Sequence, residues 1–273
     1  MLTSSIRKIL LGALATSALL LQTPAQAEGS WSAVQKKGVL RCAAAIAPVY
    51  VMRDPKSGQY NGLFANLCRD FGEQVLKVKV EFVDATWDNI VAGLQSNKWD
   101  MAPALNPTPA RSLVVAFSDP VVESQTALVV HKDNPKFAGA GNQVSDYDKK
   151  DVRLTSHAGS VPAMSIAPVF KNATIQLLPG TEETRLALLS RRADALAGDS
   201  GEVMPIIGAN PEFKRILLEP AIAKGYVAFG FSREMSSHDL AVFNIYLRQR
   251  KDAGDIDRMF DEALKEVVAA ATR

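Results

Sequence analysis

From residue 38 onward the chain alternates short apolar runs with longer amphipathic ones. Residues 38–45 predict a short buried strand. The Asp54-Pro55 and Ser57-Gly58 pairs then mark a loop over 53–62. In residues 63–76, Leu63, Leu67, Phe71 and Val75 recur at helical spacing. Over 77–83, Val78, Val80 and Phe82 alternate with polar residues, as on a half-buried strand. A strand, helix, strand order predicts an α/β lobe with a mainly parallel sheet. Residues 237–250 and 255–271 read as two helices separated by Gly254. The second has an apolar stripe through Ile256, Met259, Phe260, Ala263, Leu264 and Val267.

One segment of this pattern occurs twice. Leu94-Gln95-Ser96-Asn97-Lys98-Trp99-Asp100 precedes the apolar run 101–105, and Leu188-Leu189-Ser190-Arg191-Arg192-Ala193-Asp194 precedes the run 195–198. Leu, Ser, a basic residue and Asp recur in the same order and spacing, which predicts one helix, turn, strand unit built twice. Two similar lobes follow, not a solenoid.

The N-terminal residues show a different pattern. Arg7 and Lys8 precede an apolar run from Ile9 to Leu21 and the small-residue site Ala25-Gln26-Ala27, the layout of a secretory signal peptide over 1–27. The run of about 13 residues is short of the roughly 20 that span a bilayer. Removing the leader from the 273 residues leaves about 246, enough for two lobes, with 29 basic against 29 acidic residues. A neutral chain without a basic stripe gives no reason to expect nucleic acid. An oxidising exported compartment permits Cys42 and Cys68 to pair. A strand and the helix packed on it lie about 10 Å apart, however, whereas a disulfide needs Cα atoms within about 7 Å. Two buried free thiols are therefore the expectation.

Candidate chemistry lies after each copy of the repeat. Thr108 followed by Pro109 is a helix-start signal, with Thr as the N-cap and Pro at the first helical position. Arg111 then falls in the first turn, where the helix dipole disfavours a cation but where an Arg fork beside backbone N–H groups suits a carboxylate or phosphate. An exposed Arg paired with a nearby acid is the plain alternative. After the second copy, Asp199-Ser200-Gly201-Glu202 matches a relaxed capping box, so Asp199 is either a helix cap or the charge that faces Arg111 from an opposite wall. Such a pair of charges describes an α-amino-acid site. Gly159-Ser160-Val161-Pro162 is a second helix start able to complete an anion cradle. Trp87 and Tyr50 are candidate apolar walls. His131, His157 and His238 lie in no metal spacing, and no phosphate loop or Gly-x-Ser-x-Gly elbow is present. No catalytic residue, metal or cofactor is therefore nominated.

The segments Gly38-Val39-Leu40-Arg41, Gly62-Leu63-Phe64, Trp87-Asp88, Thr108-Pro109-Ala110-Arg111, Phe117-Ser118-Asp119-Pro120, Gly159-Ser160 and Ala193-Asp194-Ala195 with Asp199 follow one another across nearly the whole mature chain. In that order they resemble the bacterial extracellular solute-binding proteins of family 3, the periplasmic amino-acid receptors of ABC transporters. The resemblance implies a type II periplasmic-binding-protein fold, with two α/β lobes joined by two hinge strands. Lobe 1 is expected over 28–123 plus 227–273 and lobe 2 over 124–226, with hinges near 122–125 and 224–227. It also implies that Arg111, Asn106, Ser160 and the N–H of Val161 hold a ligand carboxylate. Asp199 and the carbonyl of Ala104 would take the ammonium, and Trp87 would line the side-chain pocket. The implied protein is a periplasmic monomer that serves an ABC transporter permease. The pattern departs at Pro48-Val49-Tyr50, where Pro-Pro-Phe is usual, and at Ala47, where an aromatic is common. It departs also at Asn66 in place of Asp, and at Asn106 in place of Ser or Thr. Two rival readings share the fold: a binding module for a sensor or periplasmic dehydrogenase, and an enzyme like the cyclohexadienyl dehydratases.

Overall fold

The computed structural model describes residues 31–271. The expected leader and its cleavage site lie outside the described residues, as do residues 28–30 and 272–273. The strands in chain order are β1 (Val39–Ala44), β2 (Met52–Arg53), β3 (Tyr60–Asn61), β4 (Lys79–Asp84), β5 (Met101–Leu105), β6 (Val115–Phe117), β7 (Val122–His131), β8 (Arg153–His157), β9 (Thr174–Leu178), β10 (Ala195–Asp199) and the long β11 (Phe213–Ser232). The main sheet runs β4-β1-β5-β11-β7-β10-β8-β9, with β6 also on β11.

Its two ends are parallel, as the strand, helix, strand order requires: β1 pairs with β4 and β5, and β8 with β9 and β10. Between them β11 lies antiparallel to β7 from Phe213 to Val227 and to β5 and β6 with its last residues, from Ala228 to Ser232. Three apolar clusters show why two lobes form. One gathers side chains from Trp31 to Val121 and again from Val227 to Ala263. The other two lie on opposite faces of the second half-sheet. Leu128, Val130, Ala195 and Ala197 supply one, and Ala127, Val129 and Leu196 the other, as the two-residue period of a strand dictates. The chain passes between these cores side by side on β7 and β11, where Val122, Glu123 and Ser124 oppose Val227, Tyr226 and Gly225.

The repeated segment performs one structural task twice. Ser96 and Ser190 bond back to the carbonyls of Ala92 and Leu186 at the ends of the helices Ile90–Gln95 and Thr181–Leu189. Asn97 and Arg191 follow with left-handed φ of 53° and 59°. Asp100 then accepts from the backbone N–H of Arg41 at 2.8 Å and grips its guanidinium, and Asp194 does the same to Arg153, also at 2.8 Å. Each aspartate thus fixes the helix-to-strand turn to the start of the neighbouring parallel strand.

Three local expectations change. The helix over 63–76 is α-helical only as Leu63–Asp70 and widens to a π turn over Phe71–Leu76. The wider turn moves the buried stripe by one residue, so Leu76 is buried and Val75 exposed. Asn66, an unexplained departure in the sequence, accepts from Arg69, which also donates to the carbonyl of Tyr60; its role is local. Cys42 and Cys68 form a disulfide with Cα atoms 6.8 Å apart, which corrects the free-thiol expectation. The layer spacing is measured to the helix axis. A Cα on the inner face of the helix stands about 2.3 Å closer, at roughly 7.7 Å, and here the helix packs nearer still, so that the observed 6.8 Å lies within bridging reach.

Candidate ligand-binding site

Arg111 sits where the sequence placed it. Thr108 caps the short helix Pro109–Ser112, its side chain accepting from the Arg111 N–H at 3.2 Å. The residue is 9% exposed, and its guanidinium turns inward and donates to the carbonyls of Asn106 at 3.0 Å and of Gly159 at 3.3 Å. Among the described residues no carboxylate pairs with it. Burial alone lowers its pKa, to about 10, so it stays a cation at neutral pH. Asn106 faces the other way, its amide donating to Ser124 at 3.1 Å and to the carbonyl of Tyr226 at 3.4 Å, one on each connecting strand. Ala104, near the end of β5, takes φ 58°, and opposite it the register with β11 shifts between Ala228 and Gly230. A non-glycine residue there stores about 1–2 kcal/mol of strain and breaks the regular ladder beside the cavity.

Asp199 ends β10 and is buried, at 5% exposure. Its Oδ1 accepts from the N–H groups of Gly201 at 2.9 Å and Glu202 at 3.3 Å and from the hydroxyl of Tyr50 at 3.0 Å. The expected capping box is only half formed. Asp199 closes a turn, the helix begins later as Met204–Ala209, and no hydrogen bond carries Glu202 back to the Asp199 N–H.

Tyr50 reaches Asp199 because of a strained turn. Val49 has φ 73°, rare for a β-branched residue. The carbonyls of Val49 and Tyr50 accept from Leu63 and Phe64 at the start of the next helix, 2.9 Å each. Gly62 permits this approach: a Cβ there would stand 2.8 Å from both carbonyl oxygens. The phenol is pushed well above its ordinary pKa, first by burial and then by Asp199, so it remains a donor. Gly201 is required on the opposite wall, since its Cβ would lie 2.1 Å from that hydroxyl.

Ser160 caps the helix Val161–Ile166, accepting from Ala163 at 3.2 Å and donating to the carbonyl of His157 at 2.7 Å. The N–H of Val161 lies in the first turn, where no carbonyl of its own helix can reach it. Trp87, 9% exposed, meets the His157 ring edge-on at 6.4 Å between centroids. Gly159, at φ 74°, presses on Asp88, whose Oδ1 would lie 2.4 Å from an added Cβ. Together with Tyr50–Asp199, Arg111–Gly159 and a bond of 3.2 Å from Thr181 to the Ile46 carbonyl, these contacts hold the lobes against each other.

Tyr50, Trp87, Ala104, Asn106, Arg111, Ser160, Val161 and Asp199, the eight residues nominated from the sequence, line a single cavity. The contacts just described leave it about 10 Å³ of free space, so entry of a solute requires the lobes to part. Ala47, Pro162, Val227 and Glu202 line it too. Glu202 was read only as a capping acid. Its spacing from Asp199 was visible, but not the cavity it faces. Burial, then the nearby Asp199, pushes its pKa up to about 8. Among the described residues no group of three or more His, Cys, Asp or Glu is arranged to hold a metal ion, and no helix is long and apolar enough to cross a membrane.

Comparison with known proteins agrees with this architecture. The octopine-binding periplasmic protein of Rhizobium meliloti is 26% identical over 177 residues, 58% of this chain and 60% of that protein. The L-cystine-binding protein TcyA of Bacillus subtilis is 27% identical over 105 residues, 38% of this chain and 39% of that protein. The chain therefore spans less than two thirds of the length of these two relatives. Among solved structures, an ancestral amino-acid-binding protein described as a precursor of cyclohexadienyl dehydratase is 26% identical, with 86% of this chain and 99% of that one covered and a TM-score of 0.74. An amino acid ABC transporter substrate-binding protein of Streptococcus pneumoniae bound to L-arginine, 22% identical, shares the fold at a TM-score of 0.77, with 87% and 99% covered. The sequence profile described as bacterial extracellular solute-binding proteins, family 3, matches residues 40–272, and this chain belongs to that family.

Proposed function

We propose that this solute-binding protein captures an α-amino acid, or a similar small carboxylated solute, between its lobes and delivers it to the permease of an ABC transporter. The observation that carries this reading is Arg111, a buried cation without a carboxylate partner among the described residues, facing the buried Asp199 across one cavity. Burying a charge without a partner is costly unless something else supplies the counter-charge. A ligand carboxylate does so. In this reading Arg111 and the N–H of Val161 hold the carboxylate, and Asn106 and Ser160 join them by turning from their present acceptors, Ser124 and Tyr226 for the amide and His157 for the hydroxyl. Asp199 and the carbonyl of Ala104 take the ammonium, which joins or displaces the Tyr50 hydroxyl, and Trp87 lines the side-chain pocket. Lobe 1 comprises 28–123 plus 227–273 and lobe 2 comprises 124–226. The protein acts as a monomer in the periplasm after removal of residues 1–27. Octopine, cystine and arginine are named for its relatives and structural neighbours, and all are amino acids or amino-acid derivatives.

A zwitterion satisfies both walls only when the cleft is shut, and a ligand shifts that equilibrium by its differential affinity for the two states. A thermal-shift panel of α-amino acids, with matched amines and carboxylic acids, should select molecules carrying both groups. Small-angle scattering at saturating ligand should then show a smaller fall in radius of gyration for Asp199→Asn than for wild type. Equal compaction would return Asp199 to the role of a turn cap.

One observation favours a second reading. The turn after Gly159 offers Ser160-Val161-Pro162 and no acid for dehydratase chemistry, yet Glu202 supplies a protonated carboxyl from the opposite turn. Incubation with prephenate or arogenate tests it, and the binding reading expects no product.

A further inference from the structure

Glu202 belongs to two cavities. It lines the small cavity with Arg111 and Asp199, and it lines an adjoining one of about 380 Å³. Ser160 and Pro162 are the other walls shared by both, so Glu202 lies where the two cavities adjoin. The larger cavity is walled mainly by apolar groups, among them Leu196, Val203 and Ile206. The backbone of Glu202 is tied down, its N–H donating to Asp199. Its carboxyl, by contrast, takes part in no hydrogen bond or ion pair with the described residues.

Nothing nearby neutralises it. Asp199 is on the same turn and Tyr50 faces it from the other lobe. Arg215 of β11 spends its guanidinium on the Ser200 carbonyl at 2.6 Å. Across the larger cavity Arg185 is paired with Glu182 at 2.6 Å, and His157 is held between Pro179 and Thr181. Arg111 is directed to the carbonyls of Asn106 and Gly159.

We propose that Glu202 recognises a second, cationic group on the ligand, whose side chain runs from the Arg111–Asp199 cavity past Ser160 and Pro162 into the larger one. This rests on the amino-acid reading and narrows it to basic amino acids and their derivatives. The charges then balance: one protein cation and two carboxylates meet one ligand carboxylate and two ligand cations. A neutral amino acid leaves Glu202 with its proton. A basic one draws that proton off, because an opposite charge at contact distance favours the ionised form.

The test is calorimetry on the full mature protein with lysine against norleucine and arginine against citrulline, for wild type, Glu202→Gln and Asp199→Asn. Glutamine copies the shape of the protonated carboxyl, and thermal melting checks that the variants fold. Wild type should bind at least one basic ligand tenfold or more tightly than its neutral counterpart. Glu202→Gln should erase that preference while leaving the neutral ligand within threefold, whereas Asp199→Asn should weaken both. Titrations at pH 7 in buffers of different ionisation enthalpy should show release of up to one proton with the basic ligand and none in Glu202→Gln, a signal that a merely structural Glu202 does not produce. Equal affinity for charged and neutral ligands in wild type, or an equal loss of both in Glu202→Gln, overturns the assignment and leaves the amino-acid reading standing. Failure of all four ligands to bind removes this inference, and the amino-acid reading then stands or falls with the thermal-shift panel.

Discussion

Replacing Arg111 with Met separates binding from folding. Arg111 is buried, and desolvation lowers its pKa from the ordinary guanidinium range to about 10. At about 1.4 kcal/mol per pH unit, the charged form is disfavoured in the folded protein by roughly 3 kcal/mol. Two charge-assisted hydrogen bonds, to Asn106 and Gly159, offset this by a similar amount, about 1.5–3 kcal/mol each. Methionine keeps the packing of the stem and removes both terms. The variant should therefore melt within about 5 °C of wild type, since 1 kcal/mol moves a domain of this size by about 2–4 °C. Binding behaves differently, because the variant leaves the ligand carboxylate buried and unpaired, a loss of about 2–5 kcal/mol or about 30- to 5,000-fold. Calorimetry with any amino acid selected by the thermal-shift panel gives the affinity, and differential scanning fluorimetry gives the stability. Affinity within threefold of wild type removes Arg111 from the site. A melting temperature more than about 10 °C lower, beyond what the balanced terms allow, makes it a structural residue.

Glu202 titrates at about 8 when folded against 4.5 ordinarily, so the folded state holds its proton more tightly. Its contribution is fully present below pH 4.5 and is lost as pH rises through 8. Glu202→Gln should thus gain about 1–3 kcal/mol in urea unfolding at pH 7 and nothing near pH 4, and identical pH profiles for the two proteins exclude the burial argument. Gly159→Ala forces a Cβ to within 2.4 Å of Asp88 at a positive φ. It should raise the radius of gyration at saturating ligand and weaken binding at least tenfold, and an unchanged scattering curve would mean that the lobes do not meet there. Reducing the Cys42–Cys68 bridge, which spans 26 residues, should lower stability by about 3 kcal/mol. Two reactive thiols in unreduced, denatured protein would contradict the pairing.

The sequence by itself determined what depends on neighbours in the chain. The Thr108-Pro109 cap placed Arg111, since a cap is satisfied by N–H groups two and three residues on. The echo around Asp100 and Asp194 marked two like units, because each aspartate must clamp the same helix-to-strand turn. Period-two patterns and short apolar runs located β1, β4, β5 and β10, and helical spacing located the helices over 63–76, 237–250 and 255–271, the first altered where the π turn changed the period; β2, β3, β6, β8, β9 and most of β7 and β11 carried no pattern that was read. Tertiary structure decided what depends on distance through space. Tyr50 meets Asp199 across 149 positions of chain, and the pairing of Cys42 with Cys68 turns on a few ångströms of layer spacing. Glu202 looked like an ordinary capping acid until the lobes closed over it. The cost of burying its charge arises from everything packed around it, and local spacing carries no record of that enclosure.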